Sequence, residues 1–308
     1  MARAIDDATL ERMWVRLAHE LAPPSTRYLP LRVDGAVAGW VSLRRAQRLR
    51  LFADVFAMNG ASIAIVAALA DERTRSIALA RVAAELASEG ALTAWRNELY
   101  AVAPAWGAPP WFLLERAAAR HFGVHTWAAH VNGLVQEQES GGAATSMWVA
   151  RRSAAKAIDP GMLDNLVGGG IAAGATVDGT VVKEAWEEAG IAATLAASAR
   201  PSASLHIRRD QPDGLQWETI FACDLALPAS FVPANQDGEA VAHRRVSLAE
   251  AARLIALDQG PDVVTADASL VVLDCLLRHG AVPPDSAWFA RLSALGQVDR
   301  RRAESVIR

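Results

Sequence analysis

Apolar residues recur at helical spacing in several stretches of the chain. Between Asp71 and Glu89 they lie three or four positions apart, and Gly90 follows as a C-terminal cap, which predicts an amphipathic helix. Ser247, with Glu250 three residues later, has the pattern of a capping box at the start of another helix. The same reasoning predicts helices over residues 43–56, 111–122, 176–188, 247–256 and 267–278.

Other stretches are short, apolar or alternating, and bounded by turn residues, which predicts strands. They cover residues 126–135, 147–152, 166–171, 205–209, 218–225 and 240–246. Asp34-Gly35 between β-branched residues predicts a hairpin, and the polar connector 136–145 is expected to be an exposed loop. The mixture predicts an α+β chain in which helices flank a small sheet.

The length of 308 residues suggests two domains. We place their boundary at a change of pattern near Gly123. The expected division is an N-terminal α+β accessory domain over residues 1–122, a second domain over 123–285 and a C-terminal tail over 286–308.

Composition narrows the possible functions. Hydrophobic residues make up 52% of the chain and charged residues 21%, so disorder of the whole chain is excluded. A net charge of −3 argues against a nucleic-acid partner, and no apolar stretch reaches the roughly 20 residues that a membrane span needs. The two cysteines, Cys223 and Cys275, form neither a zinc motif nor a disulfide framework, so we expect a cytoplasmic protein.

Three carboxylates share one turn of the helix predicted over 176–188. Glu184, Glu187 and Glu188 stand at i, i+3 and i+4, where neighbouring Cβ atoms are about 5–6 Å apart. No basic residue follows them three or four positions later, so their repulsion calls for an external cation. Mg²⁺ prefers oxygen ligands and often binds together with phosphates. The sequence therefore predicts a magnesium site, with Mn²⁺ as the alternative metal.

The stretch from Gly168 to Ile191 resembles the Nudix box, a glycine-led motif that ends in a cluster of acids. Aligned on Gly169, the matching positions are Gly169, Glu184, Glu187, Glu188, Gly190 and Ile191. Ala175 stands where the first glutamate belongs, and Lys183 replaces an arginine whose forked hydrogen bonds a lysine cannot form. The resemblance implies a Nudix α/β/α sandwich with a mixed sheet in the second domain.

A closer resemblance covers residues 20–280. The segments 95–100, 130–133 and 152–170 resemble a Nudix subgroup with an extra N-terminal domain, the DUF4743 type, whose members are often described as thiamine pyrophosphokinase-related. The subgroup also tends to lack the first glutamate and to carry Lys-Glu. This resemblance implies hydrolysis of damaged thiamine diphosphate analogues, such as oxo- and oxythiamine diphosphate, to the monophosphate and phosphate.

The resemblance also implies roles for individual residues. Glu184, Glu187 and Glu188 would hold the metal ion, and Glu188 or Glu239 would be the general base. The substrate-binding positions would be Gly169, Gly170 and Lys183.

Three alternatives remain open at this stage. The substrate could be another organic or nucleoside diphosphate, or the fold could serve an isomerase that uses Cys223. The departures at Ala175 and Lys183 leave room for a catalytically weak diphosphate-binding module. Each alternative keeps a small-molecule diphosphate as the partner, and a homo-oligomer is compatible with all of them.

Overall fold

A computed structural model of the chain describes residues 5–139, 142–295 and 297–299. Both helices and strands are abundant in this part of the protein. No helix within the described ranges combines the length and the apolar character that a bilayer crossing requires.

The N-terminal region carries two small sheets. Its elements are α1 (Asp7–Glu20), β1 (Tyr28–Val33), β2 (Ala36–Ser42), α2 (Leu43–Leu49), β3 (Phe56–Met58), β4 (Ile63–Ile65), α3 (Glu72–Ser88), β5 (Leu99–Val102), β6 (Phe112–Glu115), a 3₁₀ turn (Arg116–Ala118) and α4 (Ala119–Phe122). The first sheet has the order β2-β1-β4-β3, and β5 pairs with β6. Asp34 and Gly35 turn the predicted hairpin with φ of 49° and 84°.

The rest of the chain is built on a larger mixed sheet. Its elements are β7 (His125–Glu139), β8 (Gly142–Arg152), β9 (Leu163–Asn165), β10 (Val167–Gly170), α5 (Val177–Ala189), α6 (Ala193–Ala196), β11 (Arg200–Gln211), β12 (Gly214–Ala226), β13 (Ala240–Ser247), α7 (Leu248–Leu254), α8 (Ala266–Arg278), α9 (Ala287–Ser293) and β14 (Gln297–Asp299). The sheet order is β13-β8-β7-β12-β11-β14, with β10 added to β7 and β9 to β8. Strands β7 and β12 run parallel, whereas the neighbouring pairs are antiparallel.

Alternate side chains of the central strands enter two different cores. On β12, Phe221 and Cys223 pack beneath α5, whereas Ile220 and Ala222 pack beneath α8. A period of two along the strand buries both faces of the sheet. The predicted α/β/α sandwich with a mixed sheet is therefore confirmed.

The two regions meet where glycines allow the backbones to touch. Gly123 has φ of 55°, and a Cβ at this position would lie 2.2 Å from the carbonyl oxygen of Trp40. A Cβ at Gly214 would lie 1.8 Å from the carbonyl oxygen of Arg120. Helix α1 packs with α7, α8 and α9 in a core of the larger unit. The domain division at residues 122, 123 and 285 stays a prediction.

Three predicted elements differ from the structure. The helix predicted over 43–56 ends at Leu49, because the apolar residues that follow fill the N-terminal core. The helix predicted over 111–122 begins as strand β6, because β5 supplies a hydrogen-bonded neighbour that no local pattern reveals. The loop predicted over 136–145 is mostly a continued ladder between β7 and β8, with residues 140 and 141 outside the described part.

Hydrogen bonds to Asp210, near the end of β11, hold the segment that leads into β1. Its carboxylate accepts hydrogen bonds from the backbone N–H groups of Ser25 and Thr26, at 2.8 and 3.0 Å, and from the Tyr28 hydroxyl at 2.7 Å. Partial burial alone would raise the pKa of Asp210, but these hydrogen bonds lower it to about 2.

We expect Asp210→Asn to destabilise the protein by about 1 kcal/mol at pH 7, a value kept low because the site is partly exposed. The folded-state pKa of about 2 lies below the unfolded value of about 3.9. The wild-type advantage is therefore present above pH ~4 and lost as the pH falls towards 2. Thermal unfolding of both proteins between pH 2 and 7 measures this difference, and a constant difference across that range would contradict it.

Candidate active site

Helix α5 has a cap at each end. It carries the three glutamates that are predicted to bind the metal ion. The Thr176 hydroxyl accepts a hydrogen bond from the Gly179 N–H at 3.0 Å. Gly190 adopts φ of 65°, and its N–H donates to the Trp186 carbonyl at 2.9 Å. Both caps follow from the sequence, and together they fix which turn of the helix faces strand β10.

The three glutamates lie in different surroundings. Glu188 is only 7% exposed, and its Oε2 accepts a hydrogen bond from the Gly168 N–H at 2.8 Å. Glu184 is also largely buried and lies against Gly169, where an added Cβ would come within 2.6 Å of the Glu184 Cδ. Glu187 is about one-third exposed, with a side-chain exposure of 34%. Strand β10 therefore shields two of the three carboxylates from water.

Lys183 bridges the other acids of this turn. Its Nζ donates to Glu184 Oε1 at 2.9 Å and to Glu187 Oε2 at 2.8 Å. The expectation that no basic side chain neutralises the cluster is wrong on this point, because the lysine precedes Glu187 by four residues instead of following it. Lys183 thus offsets part of the repulsion, but it does not contact Glu188 within hydrogen-bonding distance.

Negative charge remains concentrated around Glu188. Burial and the neighbouring Asp164 raise the pKa of Glu188 to about 8, although the Gly168 hydrogen bond and Lys156 act in the opposite direction. Burial likewise raises the pKa of Glu184, against the effect of Lys183. Crowded carboxylates in a low-dielectric site favour either protonation or a bound cation.

These donors fit a hard divalent cation, because carboxylate oxygens are the ligands that Mg²⁺ and Mn²⁺ select. Glu184 and Glu188 are the two that approach strand β10, whereas Lys183 holds both Glu184 and Glu187. The described residues form no group of three or more His, Cys, Asp or Glu side chains that surrounds one metal position.

A polar cleft of about 140 Å³ runs beside the glycines of β10. The N-terminal region supplies part of its wall through Tyr100, Ala119 and two arginines, Arg116 and Arg120. Tyr100 touches the strand so closely that a Cβ at Gly170 would lie 1.8 Å from its hydroxyl oxygen. Gly170 is therefore needed for the contact between the two regions, whatever it binds.

Sequence patterns did not identify several charged residues of this cleft. Arg152 donates to Asp164 at 2.7 Å, and Glu218 and Asp267 line the same cleft. Arg152 is the first residue of segment 152–170, which resembles the Nudix subgroup. This resemblance is the sequence signal that could have identified Arg152 as a site residue. The acids come from separate elements, β12 and α8, and only the fold brings them together.

Glu239, predicted as a base or a metal ligand, lies at the start of β13 beside two cations. Its carboxylate accepts from Lys156 Nζ and lies 3.5 Å from Arg96 Nη1. The backbone N–H of Ser153 also donates to the Glu239 carbonyl at 2.8 Å. Its charge is thus engaged by two positive partners.

Two histidines of β7 pair with polar side chains of neighbouring strands. His130 Nδ1 lies 2.8 Å from Asn165 Oδ1, and its ring packs against Gly168. His125 Nε2 pairs with the Thr219 hydroxyl at 2.8 Å. Neither histidine belongs to a metal cluster in the part of the chain that the structure describes.

Comparison with known proteins agrees with this geometry. Residues 128–268 match the NUDIX domain family, and residues 14–126 match the domain of unknown function DUF4743. Nudix hydrolase 20, chloroplastic, of Arabidopsis thaliana is 34% identical over 276 residues, which cover 86% of this chain and 71% of the plant protein. Nudix hydrolase 24, chloroplastic, of the same organism is 34% identical over 267 residues with the same coverage. Among solved structures, DR0079 from Deinococcus radiodurans is similar over 47% of this chain and 80% of its own, with 24% identity and a TM-score of 0.35.

The chain belongs to the Nudix hydrolase family, and an N-terminal DUF4743 domain precedes its Nudix domain. The predicted family is thus confirmed. The protein is a pyrophosphohydrolase that acts on a diphosphate-containing substrate.

We expect Glu188→Gln to stabilise the metal-free protein, by about 2 kcal/mol at pH 8. The folded-state pKa of Glu188, about 8, exceeds the unfolded value of about 4.3. Ionisation therefore favours the unfolded chain increasingly as the pH rises from 4 to 8, and a neutral glutamine avoids this cost.

Thermal unfolding in the presence of a chelator, at several pH values, measures the effect. Glu187→Gln is the matched control, because it changes the same helical turn at a more exposed carboxylate and should alter stability little. A Glu188→Gln protein less stable than wild type at pH 8 would contradict the assigned electrostatics.

Proposed function

We propose that the protein is a Mg²⁺-dependent hydrolase of thiamine diphosphate or of its damaged analogues, such as oxo- and oxythiamine diphosphate. The reaction would release the monophosphate and phosphate. The observation that carries the proposal is the mixed charge of the polar cleft beside β10. Its wall brings guanidinium groups of Arg116 and Arg152 together with the carboxylates of Glu218 and Asp267.

Two carboxylates in the cleft wall, those of Glu218 and Asp267, could bind a cationic ring. Burial and Asp267 both raise the pKa of Glu218, so these two carboxylates are close and poorly solvated. Gln216 donates to Glu218 at 3.1 Å and to Asp267 at 3.0 Å, which holds the pair in place. A positively charged thiazolium ring would offset their repulsion.

Within this proposal, Glu188 would hold the metal ion together with Glu184 and Glu187, which would first be released from Lys183. A metal ion held there would supply Lewis-acid stabilisation of the charge that develops as water attacks the diphosphate. Gly169 and Gly170 would be the substrate-binding positions because they line the polar cleft, where glycines present the backbone to a ligand without a side chain.

Glu188 and Glu239 remain the two choices for the general base. Glu188 lies on the turn proposed to hold the metal ion, and its Oε2 accepts a hydrogen bond from the Gly168 N–H at 2.8 Å. The carboxylate of Glu239 instead accepts from Lys156 and lies 3.5 Å from Arg96 Nη1, so two cations already engage it. We therefore assign the base to Glu188.

Other substrates remain alternatives, but the isomerase is disfavoured. Cys223 is 2% exposed in the core beneath α5 and does not line the polar cleft. Ala175 is exposed and lines an apolar cavity of about 490 Å³ together with Trp106 and Trp127. A site built on the later acids tolerates this replacement. A cytoplasmic location stays part of the proposal, and both cysteines are buried and unpaired.

Phosphate release from a panel of diphosphates, with and without Mg²⁺ or Mn²⁺, tests the reaction and its substrate. We expect turnover of the thiamine compounds to exceed that of nucleoside and isoprenoid diphosphates by at least about tenfold in kcat/KM. Glu187→Gln and Glu188→Gln should each lower kcat far more than the melting temperature. Ligand-induced thermal shifts without turnover of any substrate would instead identify a binding module.

Charge recognition gives a second test. Glu218→Gln should lower kcat/KM about tenfold for thiamine and oxythiamine diphosphates, whose thiazolium ring is cationic. The same variant should change kcat/KM little for oxothiamine diphosphate, whose ring is neutral. An equal loss for all three substrates would assign Glu218 to the structure of the cleft and not to recognition of the ring.

A further inference from the structure

A second polar cavity adjoins the cleft at the junction of the two domains. It has a volume of about 170 Å³ and receives two cations from each side, Arg96 and Arg116 from the N-terminal region and Arg152 and Lys156 from the Nudix domain. Arg116, Arg152 and Ile158 line both this cavity and the polar cleft, so the two spaces share a wall. We call these four side chains the cationic junction.

The cationic junction carries more positive charge than its immediate partners neutralise. Arg96 and Lys156 share the single carboxylate of Glu239. Arg152 pairs with Asp164 and Arg116 with Glu98, each at 2.7 Å. Within the described ranges, these four cations thus share three carboxylates. The remaining acid of the cavity wall, Asp213, lies 3.6 Å from Arg120.

Electrostatic crowding is strongest at Lys156. Its side chain is 11% exposed, and burial together with Arg152, Arg116 and Arg96 lowers its pKa, against the effect of Glu188. Four cations held this close repel one another. A bound anion would remove the repulsion and accept forked hydrogen bonds from the guanidinium groups.

We propose that the cationic junction binds the terminal phosphoryl group of the diphosphate substrate, so that Arg96 and Arg116 of the DUF4743 domain complete the active site. Arg116 and Arg152 line both this cavity and the polar cleft, whose wall also includes Glu218. A diphosphate held by these cations would leave its organic group in the cleft. The assignment rests on the diphosphate hydrolysis described above, but not on the identity of the organic group.

Substitution of Glu239 should affect anion binding in a way that loss of a catalytic residue would not. As the shared partner of Arg96 and Lys156, it competes with an incoming phosphoryl group for both cations. Glu239→Gln should therefore strengthen anion binding. Loss of a base or of a metal ligand would lower kcat and leave metal-free anion binding unchanged.

Calorimetry with methylenediphosphonate, in a chelator and without divalent metal, tests the site independently of turnover. We expect Arg96→Gln and Arg116→Gln each to weaken Kd about tenfold, Arg116→Lys to recover part of that loss, and Glu239→Gln to tighten binding. Arg81→Gln is the matched control, because Arg81 is another N-terminal arginine paired with a carboxylate, Asp54, and its Kd should stay within twofold of wild type.

Orthophosphate is the second probe, and it should compete with methylenediphosphonate for the same site. Unchanged Kd values in Arg96→Gln and Arg116→Gln, together with a lower melting temperature, would show that the cations only join the two domains and would overturn the proposal. Absence of wild-type binding would also overturn the proposal, and so would binding of orthophosphate that does not compete with methylenediphosphonate.

If Arg116→Gln fails to fold, the Arg96→Gln and Glu239→Gln variants still test the proposal. Arginine-dependent binding without turnover of thiamine compounds would leave the phosphoryl site intact and refute only the proposed substrate.

Discussion

The approach of strand β10 to helix α5 is the contact on which the rest of the site depends. The Gly168 N–H holds the buried carboxylate of Glu188 at 2.8 Å, in surroundings where a charge is costly. Gly169 leaves room for Glu184, and Gly170 leaves room for the Tyr100 hydroxyl. Three consecutive glycines therefore serve three different close contacts, and an added methyl group at any of them would separate surfaces that must touch.

The DUF4743 domain closes the cleft instead of standing apart from it. The Ala173 N–H, in the loop between β10 and α5, donates to the Leu99 carbonyl of strand β5 at 2.7 Å. The Trp40 N–H of β2 donates to the Gly123 carbonyl at 3.1 Å. These backbone hydrogen bonds fix the N-terminal region against the Nudix sheet, so its charged side chains have defined positions in the cleft wall.

Charged side chains from both domains line the wall of the polar cleft. Carboxylates of Glu218 and Asp267 and guanidinium groups of Arg116 and Arg152 face the same narrow space. Partly buried ionic groups of this kind contribute little to stability, because desolvation offsets their attraction. Their value lies in discrimination between substrates, since a ligand with the wrong charge leaves some of them unpaired.

The sequence alone determined the capped helix α5, the glycines before it, the turn that carries Glu184, Glu187 and Glu188, and the family, because each depends on spacing within about 25 residues. It misassigned strand β6, whose pairing with β5 is a contact between separate segments. Only the tertiary structure decided that Glu188 is buried, that Lys183 bridges its neighbours and that Glu239 pairs with Lys156 and Arg96. Burial and charge pairing depend on side chains that the fold brings together from distant positions, and no local pattern encodes those distances.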